Sequence, residues 1–335
     1  MVVIGIFSGK GGVGKTTIVS NIGVALTKEF NQNVLIVDAN VNSSHLGMHL
    51  GMYEDLPVTL RDVLKNEAPL SYAIHIHPTI GVRILPAPLS PDGVNLKKLK
   101  NVVEEIKKTY DLVVMDTTPG LGRDFIETIP SIDIAYVVTT PDLPALADTI
   151  KTIKFLEKFN KNIGGVIVNR VANKKYELFD AEIENTCGHK IVATIHEDKK
   201  VPESIQNGVP IVVYSPSSNA SIELKKLAAK IIGTEYKSSN IFYAIRELLS
   251  SISRPKRKSK NIINPIVDGV GSEKQKVIEQ RKRIKKSNKN YVEEEISDIQ
   301  KIDDRLREDL KKELKQEILK RIKEKMREKD ENYNQ

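Results

Sequence analysis

The stretch that decides the fold is Val2-Val-Ile-Gly-Ile-Phe-Ser-Gly-Lys-Gly-Gly-Val-Gly-Lys-Thr-Thr17. Val2–Phe7 is an apolar, β-branched run and reads as a buried strand. Gly9 to Thr16 fit G-x-x-x-x-G-K-[ST], and Thr17–Lys28 follows with a helical pattern. A strand, a glycine-rich loop and a helix in this order bring backbone N–H groups and a helix N-terminus to one point, where phosphate groups bind. Gly9, Lys10, Gly11, Gly12, Val13 and Gly14 would form the cradle, with Thr17 at its end. Lys15 would reach the outer phosphates, and the Thr16 hydroxyl would ligate Mg²⁺. Gly9, Gly11 and Gly14 also satisfy G-x-G-x-x-G, the dinucleotide fingerprint, but Lys15-Thr16 decides against that reading because such a loop has no use for the pair.

Outward from the loop, strands and helices alternate. Val34–Val37, Val82–Leu85, Leu112–Met115, Ile134–Val138, Gly165–Val168 and Ile191–Thr194 are short apolar runs. Helical patterns over Asn95–Lys108, Ala145–Phe159, Lys175–Cys187 and Ile222–Ile231 separate several of them. Apolar strands divided by amphipathic helices predict a doubly wound, mostly parallel α/β sheet covered on both faces. Ile232-Gly233 reads as a helix stop. The globular domain is therefore expected over 1–235, and 236–335 as a helical, charged appendage.

Charge follows the same division. The 335 residues hold 52 Lys+Arg and 44 Asp+Glu, a formal net charge of +8. Residues 1–235 are nearly neutral, whereas 254–289 hold 13 basic and 3 acidic residues. A strip of that kind points to an anionic partner. Cys187 is the one cysteine, which excludes a disulfide framework and a four-Cys metal site within one chain. The first residues lack a basic segment followed by a long apolar one, and no apolar run approaches the roughly 18 residues of a membrane span. The expected location is cytoplasmic, with peripheral attachment to a membrane.

Lys10-Gly-Gly-Val-Gly-Lys-Thr16 resembles the deviant Walker A loop of the MinD/ParA family of P-loop ATPases, and most of all its archaeal-type MinD branch. The resemblance covers about residues 1–235 and includes Val37-Asp-Ala-Asn40, Val58-Thr-Leu-Arg-Asp-Val-Leu64 and Asp111-Leu-Val-Val-Met-Asp-Thr-Thr-Pro-Gly120. It continues through Val138-Thr-Thr-Pro141, Asn169-Arg170 and Gly208-Val-Pro-Ile-Val212. It implies ATP and Mg²⁺ as ligands and a homodimer formed on ATP, in which Lys10 crosses to the partner's nucleotide. Asp116, at the end of an apolar strand, is placed to hold the Mg²⁺ water shell. By resemblance, Asp38 is the first acid of switch I near Mg²⁺, and Gly120 is the switch II glycine whose N–H senses the γ-phosphate. Asn169 resembles the adenine-contacting Asn, and the segment near Pro216 would complete the base pocket. No Asn-Lys-x-Asp guanine motif occurs, since Asn173-Lys-Lys-Tyr176 lacks the Asp.

Residue 40 departs from the family pattern, which reads Asp-x-Asp where this chain has Asp38-Ala-Asn40. An amide orients water by hydrogen bonding but cannot take its proton as a carboxylate does. Slow hydrolysis is the expectation. His45 and His49 are four residues apart but have no third ligand in sequence, so they read as structural. The lack of further cysteines separates the chain from cluster-carrier and nitrogenase-reductase relatives.

Four regions are expected: an ATPase domain over 1–235, an amphipathic helix with a basic cluster over 236–260, a basic linker over 261–292, and a long charged helix over 293–335. In 239–252, Ile241, Phe242, Ile245, Leu248, Leu249 and Ile252 share an arc of about 120° on a helical projection. Arg254-Pro-Lys-Arg-Lys-Ser-Lys260 follows, and the two features together suit an anionic membrane surface. Apolar residues in 293–329 recur at about 3.75 residues, beyond the 3.5 of a left-handed coiled coil, leaving a protein partner or a solvated helix. The expected function is an ATP-dependent dimerising ATPase that controls spatial positioning, of the division site or polar machinery, at the membrane. The alternatives are a ParA-type partition ATPase that binds DNA through the basic tail, and an ATP-binding scaffold with little turnover.

Overall fold

The structure is a computed structural model, and it describes residues 1–52, 56–89 and 94–237. The chain divides into two units, Met1–Arg257 and Lys258–Gln335, and every described residue lies in the first. The expectations for 239–260, 261–292 and 293–335 lie outside the described residues.

In chain order the elements are β1 Val2–Phe7, α1 Lys15–Lys28, β2 Val34–Asp38, α2 Leu46–His49, α3 Leu60–Lys65, α4 Leu70–Ala73, β3 His75–Ile76 and β4 Arg83–Leu85. They continue with α5 Leu99–Ile106, β5 Leu112–Asp116, α6 Arg123–Thr128, β6 Ile134–Thr139, α7 Leu143–Lys158 and β7 Asn162–Val171. The remainder are α8 Asp180–Cys187, β8 Ile191–His196, α9 Lys200–Gln206, α10 Ile211–Tyr214 and α11 Asn219–Ile231. The strands form one sheet in the order β3-β4-β2-β5-β1-β6-β7-β8. All pairings are parallel except β3 with β4.

The alternation of strand side chains splits the core into two layers. Val3 and Phe7, with Leu35, Val37, Val113 and Met115, face α3, α5, α6 and α7. Ile4 and Ile6, with Val34, Ile36 and Val114, face α1 and α11. Burial on both faces is why these strands lack polar alternation, as the sequence predicts for a parallel sheet.

Among the boundaries that differ from the sequence reading are two helix starts. The helix expected from Lys175 starts at Asp180. Residues 172–178 instead form a turn in which the Glu177 carboxylate accepts from the Ala172 and Lys174 N–H groups at 3.1–3.2 Å. The helix expected from Asn95 opens with a 3₁₀ turn over Leu96–Lys98 before α5, capped by the Asn95 side chain. The short elements α2, α4, β3, α6, α9 and α10 offer too few residues for a periodic signal.

The helix α1 lies so close to β2 that a Cβ on Gly23 would fall 2.3 Å from Ile36 Cδ1. Glycine in a helix interior costs about 1 kcal/mol relative to alanine, so contact with the sheet keeps it there. Gly23→Ala is expected to destabilise the protein by about 1–3 kcal/mol despite the better helix former. A second change, Ile36→Val, should recover part of the loss in urea denaturation; a stabilised single variant would refute the close packing.

Candidate functional site

The loop between β1 and α1 meets the carboxyl ends of β5 and β2. Gly14 adopts φ 91° and caps α1 with no side-chain hydrogen bond, so first-turn N–H groups remain for a ligand. A Cβ on Gly11 or Gly12 would meet nothing within 4 Å. Packing within the protein therefore does not require glycine at these positions, although the left-handed φ of 79° favours it at Gly12, and the open backbone leaves room for phosphate. On the other side, a Cβ on Gly9 would lie 2.4 Å from the Asp148 carbonyl oxygen, which fixes the loop against α7.

Asp116 is the hub. It is fully buried, with Oδ1 accepting from Lys15 Nζ at 2.7 Å and Oδ2 from the Thr16 hydroxyl at 2.6 Å. Parallel pairing places Ile6 opposite Asp116 and Asp38 opposite Asp116, so sheet register brings the two acids to one crevice. Asp38 is also fully buried, and its carboxylate accepts from Asn40 N–H at 2.9 Å and Ser44 Oγ at 2.8 Å. Burial, and then the negative charge of Asp116, push the Asp38 carboxyl up to about 7. Two carboxylates and a hydroxyl are hard oxygen donors of the type Mg²⁺ takes, so Thr16, Asp38 and Asp116 fit the metal, and the open loop fits its phosphates.

Asn40 stands beside them, 5% exposed. Its Nδ2 donates to the Ser43 carbonyl at 2.7 Å, while its Oδ1 has no hydrogen-bond partner among the described residues. A buried acceptor without a donor is rare and marks a place for a ligand or water. Gly120, at φ 83°, donates its N–H to the Ser8 carbonyl at 3.0 Å, so contact with a γ-phosphate requires that bond to open. Thr118 Oγ1 donates to the Ala39 carbonyl at 3.3 Å, and Asn42 hydrogen-bonds Asp124. These contacts join the 38–44 and 118–124 segments. Ser44 and Asp124 lie in no quoted motif, and Ser8 and Thr118 lie inside quoted stretches without an assigned role; only the fold reveals what they touch.

The base side is divided. Asn169 is buried, and its Nδ2 donates to the Val13 carbonyl at 2.7 Å. Its amide is thus fixed to the loop with Nδ2 occupied, and its Oδ1 is the side able to accept from an exocyclic amine such as that of adenine. Pro216 is exposed ahead of α11, its carbonyl accepting from Ser221 Oγ, and no such tie to the loop holds it. Lys10 is exposed. It lines a cavity of about 290 Å³ with Gly11, Gly12 and Arg170. Among the described residues no group of three or more His, Cys, Asp or Glu is placed to hold a metal. His49 is held near 4 by burial and is neutral at pH 7. Cys187 ends α8 before the left-handed Gly188, as its sequence context suggests.

A carboxyl whose folded pKa lies above its unfolded value of about 3.9 favours folding while protonated and opposes it once ionised. The Asp38 contribution is therefore present at acid pH and lost as pH rises through about 7. Thermal melts without metal or nucleotide should show Asp38→Asn gaining stability relative to the parent between pH 5 and pH 8. A constant difference across that range would contradict the raised value.

Comparison with known proteins agrees with this geometry. The CobQ/CobB/MinD/ParA nucleotide binding domain family matches residues 4–211. An ATP-binding protein of Methanocaldococcus jannaschii is 35% identical over 240 residues, covering 71% of this chain and 90% of its own. The septum site-determining protein MinD of Thermotoga maritima is 30% identical over 253 residues, covering 72% and 92%. Among solved structures, MinD of Pyrococcus horikoshii complexed with Mg-ADP aligns with TM-score 0.66 and 32% identity, over 69% of this chain and 96% of that one. The MinC:MinD cell division complex of Aquifex aeolicus includes a chain that aligns with TM-score 0.65 and 30% identity, over 72% and 99%. With its phosphate loop and two buried acids in one crevice, and its likeness to these proteins over the whole described domain, the chain belongs to the MinD/ParA family of nucleotide-binding P-loop ATPases.

Proposed function

We propose that this protein binds Mg-ATP, dimerises on it and hydrolyses it slowly, using nucleotide state to control position at a membrane surface. The observation that carries the reading is the buried Lys15–Asp116–Thr16 cluster beside Asp38. With ATP in the loop, Lys15 would exchange Asp116 for the outer phosphates, and Thr16, Asp38 and Asp116 would hold the metal or its water shell. A metal held there would supply positive charge against that of the phosphates. Lys10, exposed at the loop, supplies further positive charge to the nucleotide of the partner.

Asn40 sets the rate in this reading. Its free Oδ1 accepts a hydrogen bond from the attacking water and orients it, but does not take the proton. Positioning and electrostatics supply most of the acceleration in phosphoryl transfer, so turnover is reduced and not abolished. The same atom favours a second reading, a nucleotide-binding scaffold with almost no turnover. Asn40→Asp is expected to raise phosphate release by at least roughly tenfold. It should also cost about 1–3 kcal/mol of stability, because a carboxylate oxygen would face the Ser43 carbonyl where an amide N–H now donates. An unchanged rate in a folded variant removes the rate assignment.

The membrane part of the proposal rests on the sequence of 239–260. Among the described residues no helix is long and apolar enough to cross a membrane. Anionic vesicles should sediment the full chain with ATP more than with ADP or without nucleotide, and a chain lacking 239–260 should stay in solution. Sedimentation in every nucleotide state would mean charge adsorption by the basic strip, and none at all would leave DNA or a protein partner as the target of the tail.

A further inference from the structure

Arg170 holds a conformation that arginine does not favour. Its φ is 58°, in the left-handed region. That region costs a side-chain-bearing residue about 1–2 kcal/mol, and glycine nothing comparable. The residue sits in an irregularity of β7, where the register on β8 shifts between Val168 and Val171. A bulge beside a site re-aims a side chain, and backbone strain persists where the side chain is used. The preceding residue, Asn169, is fixed to Val13, so the position of Arg170 relative to the phosphate loop is fixed as well.

The guanidinium is exposed, and no ion pair or side-chain hydrogen bond joins it to the described residues. With Lys10 it lines the cavity of about 290 Å³ beside Gly11 and Gly12. Two carboxylates also line it, each held in place by neutral hydrogen-bond donors beside it. Asp142 accepts from Ala145 N–H and Thr140 Oγ1, and Glu177 from the Ala172 and Lys174 N–H groups. The cavity shares Gly11, Gly12 and Val13 with the phosphate loop, whereas Lys15, Thr16 and Asp116 do not line it.

We infer that Arg170, together with Lys10, grips phosphate of the nucleotide held by a second copy of the chain. This rests on the dimer proposed above and adds a second contact to it. A planar guanidinium gives two parallel hydrogen bonds to phosphate oxygens, which a lysine ammonium cannot reproduce. The backbone strain is what separates this role from a structural one. Arg170→Gly relieves the left-handed conformation, so the fold keeps or gains stability while the contact is lost.

The test compares the full chain with Arg170→Gly, Arg170→Lys and Lys10→Ala. Association with Mg-ATP is followed by analytical ultracentrifugation, Mg-ADP affinity by titration calorimetry, and the melting temperature without nucleotide. Arg170→Gly should weaken ATP-dependent association at least about tenfold, the range for loss of a charge-assisted hydrogen bond. Arg170→Lys should fall between, Mg-ADP affinity should be unchanged, and the melting temperature should be equal or higher. Parent-like association of Arg170→Gly overturns the inference. A parallel loss of Mg-ADP affinity overturns it too, by placing the guanidinium on its own subunit's nucleotide. If the parent chain fails to associate with ATP, the dimer proposal itself falls and takes this contact with it.

Discussion

The buried carboxylate of Asp116 is the constraint around which the rest of the domain is arranged. Its charge lies in the protein interior and is met by one ammonium, Lys15 Nζ, and one hydroxyl, Thr16 Oγ1. Removing one member of such a pair strands a charge at a cost of about 3–5 kcal/mol. Those partners stand a hundred residues earlier in the chain. Only the parallel pairing of β1 with β5 brings them within reach, so the two central strands and the loop behind them stand or fall together. The cluster is satisfied without any ligand. Under the function proposed above, a nucleotide would have to offer Lys15 a better anion than Asp116.

The surrounding loops are joined to the same crevice by hydrogen bonds. Asp38 is tied to Asn40 and Ser44, Thr118 to Ala39, and Gly120 to Ser8. These bonds tie the 38–44 and 118–120 segments to each other and to the residue that follows β1. The α6 helix that follows is anchored at Phe125, whose ring meets that of Phe7 edge to face with centroids 5.1 Å apart. Leu121 and Ile126, near the same helix, remain partly exposed. One end of the segment is thus fixed in the core while the other meets solvent.

The sequence and the structure agree most where a signal is local. The run from Val2 to Thr17 carries its strand, loop and helix start in consecutive residues, and the structure places them so. The helix proposed from Lys175 fails for a physical reason that is not local in pattern. Glu177 caps the preceding turn with its side chain, and this competes with helix formation at the same residues. Asn169 and Pro216 are assigned to the base by resemblance alone. The fold adds that the Asn169 amide is tied to the phosphate loop through Nδ2 and that Pro216 stands ahead of α11, its carbonyl accepting from Ser221. Arg170 is legible in the sequence only as a neighbour of Asn169; its strained backbone and its cavity belong to the fold.

The sequence alone determined the phosphate loop, the layered parallel sheet and the family resemblance, because each rests on residues adjacent in the chain or on a short period. It also located the one departure, Asn40, as a change of residue type. What that amide does was decided by tertiary structure. Nδ2 is committed to Ser43 and Oδ1 is left unpaired in a buried crevice, which depends on how a loop of switch I folds over β2. The meeting of Asp38 with Asp116 comes from strand register across the sheet, and the raised proton affinity of Asp38 comes from its burial and then from that neighbouring charge. Charge pairing and desolvation act through space, and spacing along the chain does not encode them.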